Sequence, residues 1–268
     1  MELIGNGSGC SWEHRLSYGA WDINGNIKPG EILRLVQEIS LVHPALLNMD
    51  DDFFLEKRRA FMLAELGLRI IKQPKKCQDV LIISRPEDKP THARYKRATV
   101  ILDKDTKEEL IRVDARWILV NLDTGRIERK EQEGIVFPKQ EEELFSLSVK
   151  IPKGDYGETV GEGVRTVGYS MMDTNKHLNN TFYADMIADA LPFEEFEKGR
   201  KISEMIISFR NQGLFGDEIK VSCLCDKDIC LDSTDNAEKC FYIRGDRLEE
   251  NIETEKNPFY FEGYVVME

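Results

Sequence analysis

The chain repeats itself. The segment "SYGAWDINGNIKPGEILRLVQEI", from Ser17, lies on "GYSMMDTNKHLNNTFYADMIADA", from Gly168, with a constant shift of 151 positions. Tyr18 then falls on Tyr169, Asp22 on Asp173, Asn24 on Asn175 and Ile27 on Leu178. Each segment runs on into apolar residues at helical spacing. These are Ile32, Leu35, Val36, Ile39 and Val42 in the first, and Phe182, Tyr183, Met186, Ile187 and Ala190 in the second. Asp185 and Asp189 fall off the second stripe and are expected to face water. A turn rich in Asp and Asn that opens a buried helix, used twice, points to a fold built from two like halves.

The segments after the two helices also match in kind. After the first come "AFMLAELGLRIIK", "KCQDVLIISR" and "HARYKRATVILDKDTKEELIRVDARWILVNLDTGRIER"; after the second come "ISEMIISFR", "GDEIKVSCLCDKD", "EKCFYIRGDRL" and "PFYFEGYVVME". These are β-branched and aromatic runs with period-two alternation, divided by turns such as "DKDT", "LDTG" and "FGDE". The fold class is therefore α+β, each half a mostly antiparallel sheet wrapped around a long central helix. That is the hotdog pattern, and two in one chain make a tandem hotdog. The polar join "VFPKQEEELFSLSVKIPKGDYGETVGEGV" puts the boundary near residue 150, with halves 1–149 and 150–268. Pro29 suits the first position of the first helix, where a missing N–H is no loss. Asn179 or Asn180 suits the cap of the second.

Composition removes whole classes of function. The 268 residues carry a net charge of −12, against the basic surface that a nucleic-acid binder needs. No apolar run approaches the roughly 20 residues that span a bilayer, and the N-terminal residues lack the pattern of an export signal, so a cytoplasmic protein without membrane insertion is expected. Reduced thiols are the expectation in that setting. Cys223, Cys225, Cys230 and Cys240 cluster, but in C-x-C spacing and not in paired C-x2-C knuckles, so strand cysteines packed as small hydrophobes are expected, with no metal and no cofactor.

The second turn is the place for chemistry. Asp173, Asn175, His177, Asn179 and Asn180 crowd the mouth of a helix in a chain with four histidines. A helix N-terminus offers unpaired N–H groups and partial positive charge to an oxyanion. Asp173 can serve as base or nucleophile, His177 can move a proton near neutral pH, and Asn175 can orient a water or a carbonyl. The set suits hydrolysis of an activated acyl group such as a thioester. The first copy keeps Asp22 and Asn24 but has Asn26 where the second has His177, and Lys28 and Pro29 where the second has Asn179 and Asn180. The shared Asp and Asn therefore read as turn builders, and the histidine marks one working site.

D-x-N-x-H-x-N-N ahead of a helix resembles the motif of hotdog thioesterases. The tandem arrangement, together with "GEILRLVQEISLVH", "DARWILVNLDTGRIER" and "FRNQGLFGDEIKV", resembles the acyl-acyl carrier protein (ACP) thioesterases of bacteria and plastids over nearly the whole chain. The resemblance implies a bacterial enzyme of fatty acid metabolism that hydrolyses fatty acyl-ACP to free fatty acid and carrier. Its catalytic residues would be Asp173, Asn175 and His177. Where the family has a glutamate in the next strand this chain has Gln212, and the following cysteine of plastid members is Gly213. Gln212 can place a water but cannot take its proton. The base is then Asp173 or His177, with Glu204 or Glu218 the carboxylates to test under a shifted alignment. The second half is expected to be catalytic and the first to hold the acyl pocket. Asn179, Asn180, Trp21 and Met171 are candidate substrate contacts, and Met49, Phe53, Phe54, Phe61 and Met62 candidate pocket lining.

An acyl-CoA thioesterase and a non-catalytic acyl-carrier-binding protein on the same fold are the alternatives. The chain would act as a monomer, already an internal pseudo-dimer, or as a homodimer. Carrier proteins are strongly acidic, so docking needs a local basic face. Arg94, Lys96 and Arg97 are one candidate; Lys72, Lys75 and Lys76, and Lys198, Arg200 and Lys201, are the others.

Overall fold

Side-chain oxygens make the turn between two of the long strands and the turn that ends the second of these. Asp103 Oδ1 accepts from the N–H groups of Asp105 and Thr106, and Asn121 Oδ1 from those of Asp123 and Thr124. These are the "DKDT" and "LDTG" turns, and they set the register of the hairpins they close. The computed structural model describes residues 1–141, 143–226, 238–248 and 259–268.

Two units are distinguished: Met1–Trp21 with Arg34–Val149, and Asp22–Leu33 with Lys150–Glu268. The first contains strands β1 (Glu2–Ile4), β2 (Gly9–Arg15), β3 (Arg59–Ile70), β4 (Asp79–Pro86), β5 (Tyr95–Asp103) and β6 (Glu109–Asn121). Their order is β1-β2-β4-β5-β6-β3, antiparallel throughout. Helix α1 (Pro29–Leu46) buries Ile32, Leu35, Val36 and Ile39 and half-buries Val42; Pro29 is its first residue, as expected. The short helix α2 (Asp51–Glu56), capped by Asp50, is an addition to the expected elements. It carries Phe53 and Phe54, which pack edge-on in series with Phe61 and Tyr95 beside Met49 and Leu119.

The second unit contains β7 (Tyr156–Thr166), α3 (Asn180–Ala190), α4 (Phe193–Glu197), β8 (Ile202–Phe209), β9 (Glu218–Asp226), β10 (Lys239–Arg247) and β11 (Phe259–Met267). The strand order is β8-β11-β10-β9-β7, again antiparallel. Helix α3 buries Tyr183, Met186 and Ile187 on this sheet, with Tyr183 edge-on to Phe209 and Phe261. Asp189 is exposed, but Asp185 is not turned to water as expected. It lies against Gly30, where a Cβ would meet its Oδ1 at 1.9 Å. Only glycine lets the start of α1 come that close.

Four further expectations are corrected. The polar join contains β7, an edge strand with little burial, so neither of its faces carries the alternation that marks a strand. Cys223 and Cys240 are buried strand residues, but Cys225, less enclosed near the end of β9, is disulfide-bonded and not a reduced thiol; Cys230 lies outside the described residues. Lys96 is no surface cation: its Nζ donates to Leu144 C=O and Ser146 Oγ, in a segment that crosses the sheet. Arg97 is buried as well, donating to Ser84 Oγ at 3.2 Å and His43 Nδ1 at 3.3 Å, while Arg94 pairs with Glu65.

His43 is fully enclosed, and its Nε2–H donates to Gly7 C=O at 3.1 Å, which leaves Nδ1 to accept from Arg97. Burial first, and the Arg97 charge second, push its pKa down from 6.5 to about 4. Between those values the unfolded chain binds the proton and the folded chain does not, so stability falls as pH drops through this window. Urea unfolding from pH 7 to pH 4 is expected to lose about 3 kcal/mol through this group. A His43→Gln variant should show a shallower slope over the same range; an identical slope would remove His43 from the acid response.

Candidate active site

Both halves of the repeat build the same turn from the same atoms. Asp22 Oδ1 accepts from Asn24 N–H at 2.9 Å and Asn26 N–H at 2.8 Å. Asp173 Oδ1 accepts from Asn175 N–H at 2.9 Å and His177 N–H at 3.1 Å. The main chain closes alike. Asp22 N–H donates to Asn26 C=O and Asp173 N–H to His177 C=O, each at 2.8 Å. The residue before the last has positive φ in both turns, +81° at Gly25 and +64° at Lys176. The shared aspartate is a structural anchor, in keeping with the repeat.

The two turns differ in what remains after closure. In the first, Asn26 Nδ2 donates to Asp22 Oδ2 at 3.3 Å, and Asn24 Nδ2 donates to Phe196 C=O at 2.8 Å. Both carboxylate oxygens and both side-chain amide nitrogens are thus occupied. In the second, Asp173 Oδ2, the Asn175 amide and the His177 ring have no protein partner among the described residues. Asn175 is exposed and His177 half-buried.

Helix α3 begins directly behind this turn. Asn179 is the cap: its Oδ1 accepts from Thr181 N–H at 3.0 Å and from Thr181 Oγ1 at 2.9 Å. Leu178 N–H donates to Gly213 C=O at 2.8 Å, Asn179 N–H to Met171 C=O at 2.9 Å, and Phe182 N–H to Asn179 C=O at 3.0 Å. The N–H of Asn180 is left without a partner among the described residues, at the positive end of the helix. The Leu178–Gly213 bond ties the turn to the loop after β8 and brings in Gln212, the next residue along, which is exposed. Tyr183 fixes that loop from below. Its hydroxyl accepts from Gly213 N–H at 3.2 Å and donates to Asn211 C=O at 3.4 Å. Burial pushes the phenol up to about 12, so it stays a neutral donor.

The structure thus gathers Asp173, Asn175, His177, Asn180 and the chain beside Gln212. Met171, half-buried, holds the turn through its carbonyl. Trp21 stands one residue before the first turn, its indole N–H buried and without a partner among the described residues. Glu204 is not brought to the turn. Gly263, opposite Ile207, faces Ile187 of α3, so Glu204 sits on the other face of the sheet. Glu218 is exposed at the start of β9, paired with Thr166. A cavity of about 320 Å³ lies at the opposite end of α3, lined by Gly161, Glu162, Arg165, Asp189, Leu191 and Phe193 among others. Sequence reasoning missed the Gly213 carbonyl and the Tyr183 hydroxyl as supports; tyrosine on the helix stripe reads as core.

Two family models match: the acyl-ACP thioesterase N-terminal domain over residues 10–136 and the acyl-ACP thioesterase C-terminal domain over residues 162–257. The chain belongs to the acyl-ACP thioesterase family. It is accordingly a thioester hydrolase that acts on fatty acyl-ACP. Among solved structures, an acyl-ACP thioesterase from Bacteroides thetaiotaomicron superposes with a TM-score of 0.79 at 17% identity, over 99% of this chain and 100% of that one. A 12:0-ACP thioesterase from Umbellularia californica gives 0.74 at 14% identity, over 97% and 94%. These likenesses show the fold, a tandem hotdog. No protein with a curated description matches the sequence.

The two aspartates should separate by substitution. Asp173→Asn keeps an oxygen for both N–H groups and should unfold within a few degrees of the parent. Asp22→Ala and Asp173→Ala should each lose about 1–2 kcal/mol in urea unfolding. Equal loss in Asp173→Asn and Asp173→Ala would show that the charge, and not the acceptor, builds the turn.

Proposed function

We propose that the second turn is the hydrolytic site for fatty acyl-ACP, with His177 as the general base. The observation that carries this is the contrast between the turns. The same anchor is made twice, and only the second leaves an imidazole, an amide and a carboxylate oxygen unoccupied. What distinguishes the second turn is the imidazole, so proton transfer is assigned to it, not to Asp173. Asp173 holds the turn through Oδ1 and offers Oδ2 to orient the ring or stabilise its positive charge.

Water, positioned by Gln212, adds to the thioester carbonyl while His177 takes its proton. The oxyanion is met by the Asn180 N–H, by the helix end and by the Asn175 amide. The tetrahedral intermediate then expels the carrier thiolate, which recovers the proton from His177. Free fatty acid and the carrier thiol are the products. Each step uses groups already in the chain. The Asn179 oxygen is occupied by the cap, so Asn180, through its main-chain N–H, is the closer substrate contact of the pair. The enzyme would meet its substrate in the cytoplasm. No described helix is long and apolar enough to cross a membrane.

Steady-state hydrolysis of matched acyl-ACP and acyl-CoA tests this. His177→Ala should lower kcat about 10²- to 10⁴-fold, and Asn175→Ala about 10²-fold. Both should unfold at the parent's temperature. Gln212→Ala should lower kcat less than either. Unchanged kcat in His177→Ala would remove the histidine from the reaction. Faster turnover of acyl-CoA than of acyl-ACP would contradict the choice of substrate.

A further inference from the structure

The repeat extends back from the two turns into the strands before them. Leu16 N–H donates to Gln78 C=O at 3.0 Å, and Val167 N–H to Asp217 C=O at 2.9 Å. His14, Trp12 and Cys10 of β2 then pair with Val80, Ile82 and Ser84 of β4. Arg165, Gly163 and Gly161 of β7 pair with Ile219, Val221 and Cys223 of β9. The shift of 151 positions holds through both strands. Residues directly opposite in an antiparallel pair share a face. Val80, Ile82, Ile219 and Val221 are all buried, so both sets stand on the core side of their sheets. The second copy therefore has two glycines on the face where the first has Cys10 and Trp12. We propose that this face of β7, with the end of α3, binds a neutral planar aromatic molecule of about the size of indole. The site lies about 16 Å along α3 from the second turn and needs no part of it.

The first copy shows what the position accepts. The Trp12 ring is half-buried, and the His14 ring packs on it with centroids 4.4 Å apart. In the second copy a Cβ at Gly163 would meet nothing within 4 Å among the described residues. Gly161 is small for another reason. A Cβ there would lie 2.6 Å from Ala190 C=O, so its absence lets the end of α3 close on the strand. The cavity of about 320 Å³ lies between them. That volume is at the lower end of small-molecule pockets, roughly 300–1,000 Å³. Met186, Leu191 and Val221 wall it, each at most 5% exposed, and Phe193 adds an aromatic ring to the lining.

Arg165 takes the place of His14. Its guanidinium meets Asp189 Oδ2 only at 3.4 Å and is half-exposed. A planar guanidinium stacks on an aromatic face, as the His14 ring does on Trp12. The electrostatics select a neutral ring. The lining holds Glu162, Asp189 and Glu194 with Arg165, and Lys220 pairs with Glu162 at 3.0 Å, which makes three carboxylates against two cations. The carbonyl end of α3 adds partial negative charge. An anionic ligand is disfavoured there.

The test is titration of the whole protein with indole, followed through the methyl signals of Met186 and Val221 and by thermal unfolding. Saturable shifts of both methyls and a higher unfolding temperature are expected. Gly163→Trp, which restores the residue of the first copy, should raise the indole Kd about tenfold or more and unfold no earlier than the parent. Gly163→Val fills less of the cavity and should weaken indole in the same direction; it decides the matter where the tryptophan variant does not fold. Arg165→Ala should raise Kd about two- to fivefold. Indole-3-acetate, which is anionic, and cyclohexanol, which is saturated, should both bind more weakly than indole. Indole should not compete with acyl-ACP in hydrolysis. Absence of saturable shifts at Met186 and Val221, an unchanged Kd in the Gly163 variants that fold, or equal binding of cyclohexanol would each overturn the site. Competition with acyl-ACP would overturn it too, since the ring would then occupy the substrate site.

Discussion

One carboxylate oxygen receiving two backbone N–H groups organises both halves of this protein. Asp22 and Asp173 each bend five residues into a closed loop and deliver the chain to the start of a buried helix. A closed turn of this length points N–H groups inward where no main-chain carbonyl reaches them, and an aspartate placed first supplies the acceptor. Whatever stands last in the turn is then held at the helix mouth. In the first copy that residue is Asn26, which completes the hydrogen bonding of Asp22. In the second it is His177, and the turn stays chemically open. The two copies thus share an anchor and differ in which of their polar groups that anchor leaves unbonded.

The supporting structure arises from the need to hold the open turn still. Unoccupied polar groups at a helix end would otherwise be free to rearrange. Here Leu178 is bonded to Gly213, Asn179 caps α3, and Tyr183 grips the 211–213 segment from the buried side of the helix. Those bonds use the main chain and the cap, so Asp173 Oδ2 and the side chains of Asn175 and His177 are left without a protein partner among the described residues. The same division explains why Asn179, a ligand candidate by position, is occupied, while Asn180 offers its main-chain N–H.

Much of this is legible in the sequence, because it is local. The repeat, the two helices, Pro29 at a helix start and the Asp and Asn turns all depend on residues within a few positions of one another. The strands with one buried face are legible for the same reason. The features that sequence reasoning misses depend on neighbours far along the chain. β7 lies at a sheet edge and lacks alternation. Lys96 and Arg97 read with Arg94 as a cluster of surface cations, but the segment around Leu144 and Ser146 and the ring of His43 cover them. Asp185 reads as a solvent residue until Gly30 is seen against it. The opened state of the second turn is suggested by His177, yet only the pairing of Asn24 with Phe196 shows that the first is closed.

The most direct measurement is kcat for acyl-ACP hydrolysis by His177→Asn, which gives the second turn the residue of the first. The new amide should bond Asp173 Oδ2 as Asn26 bonds Asp22. Stability should then hold or rise, and kcat should fall by at least about 10²-fold. Turnover within a factor of about three of the parent, in a protein that folds normally, would contradict the assignment of the reaction to the unoccupied imidazole.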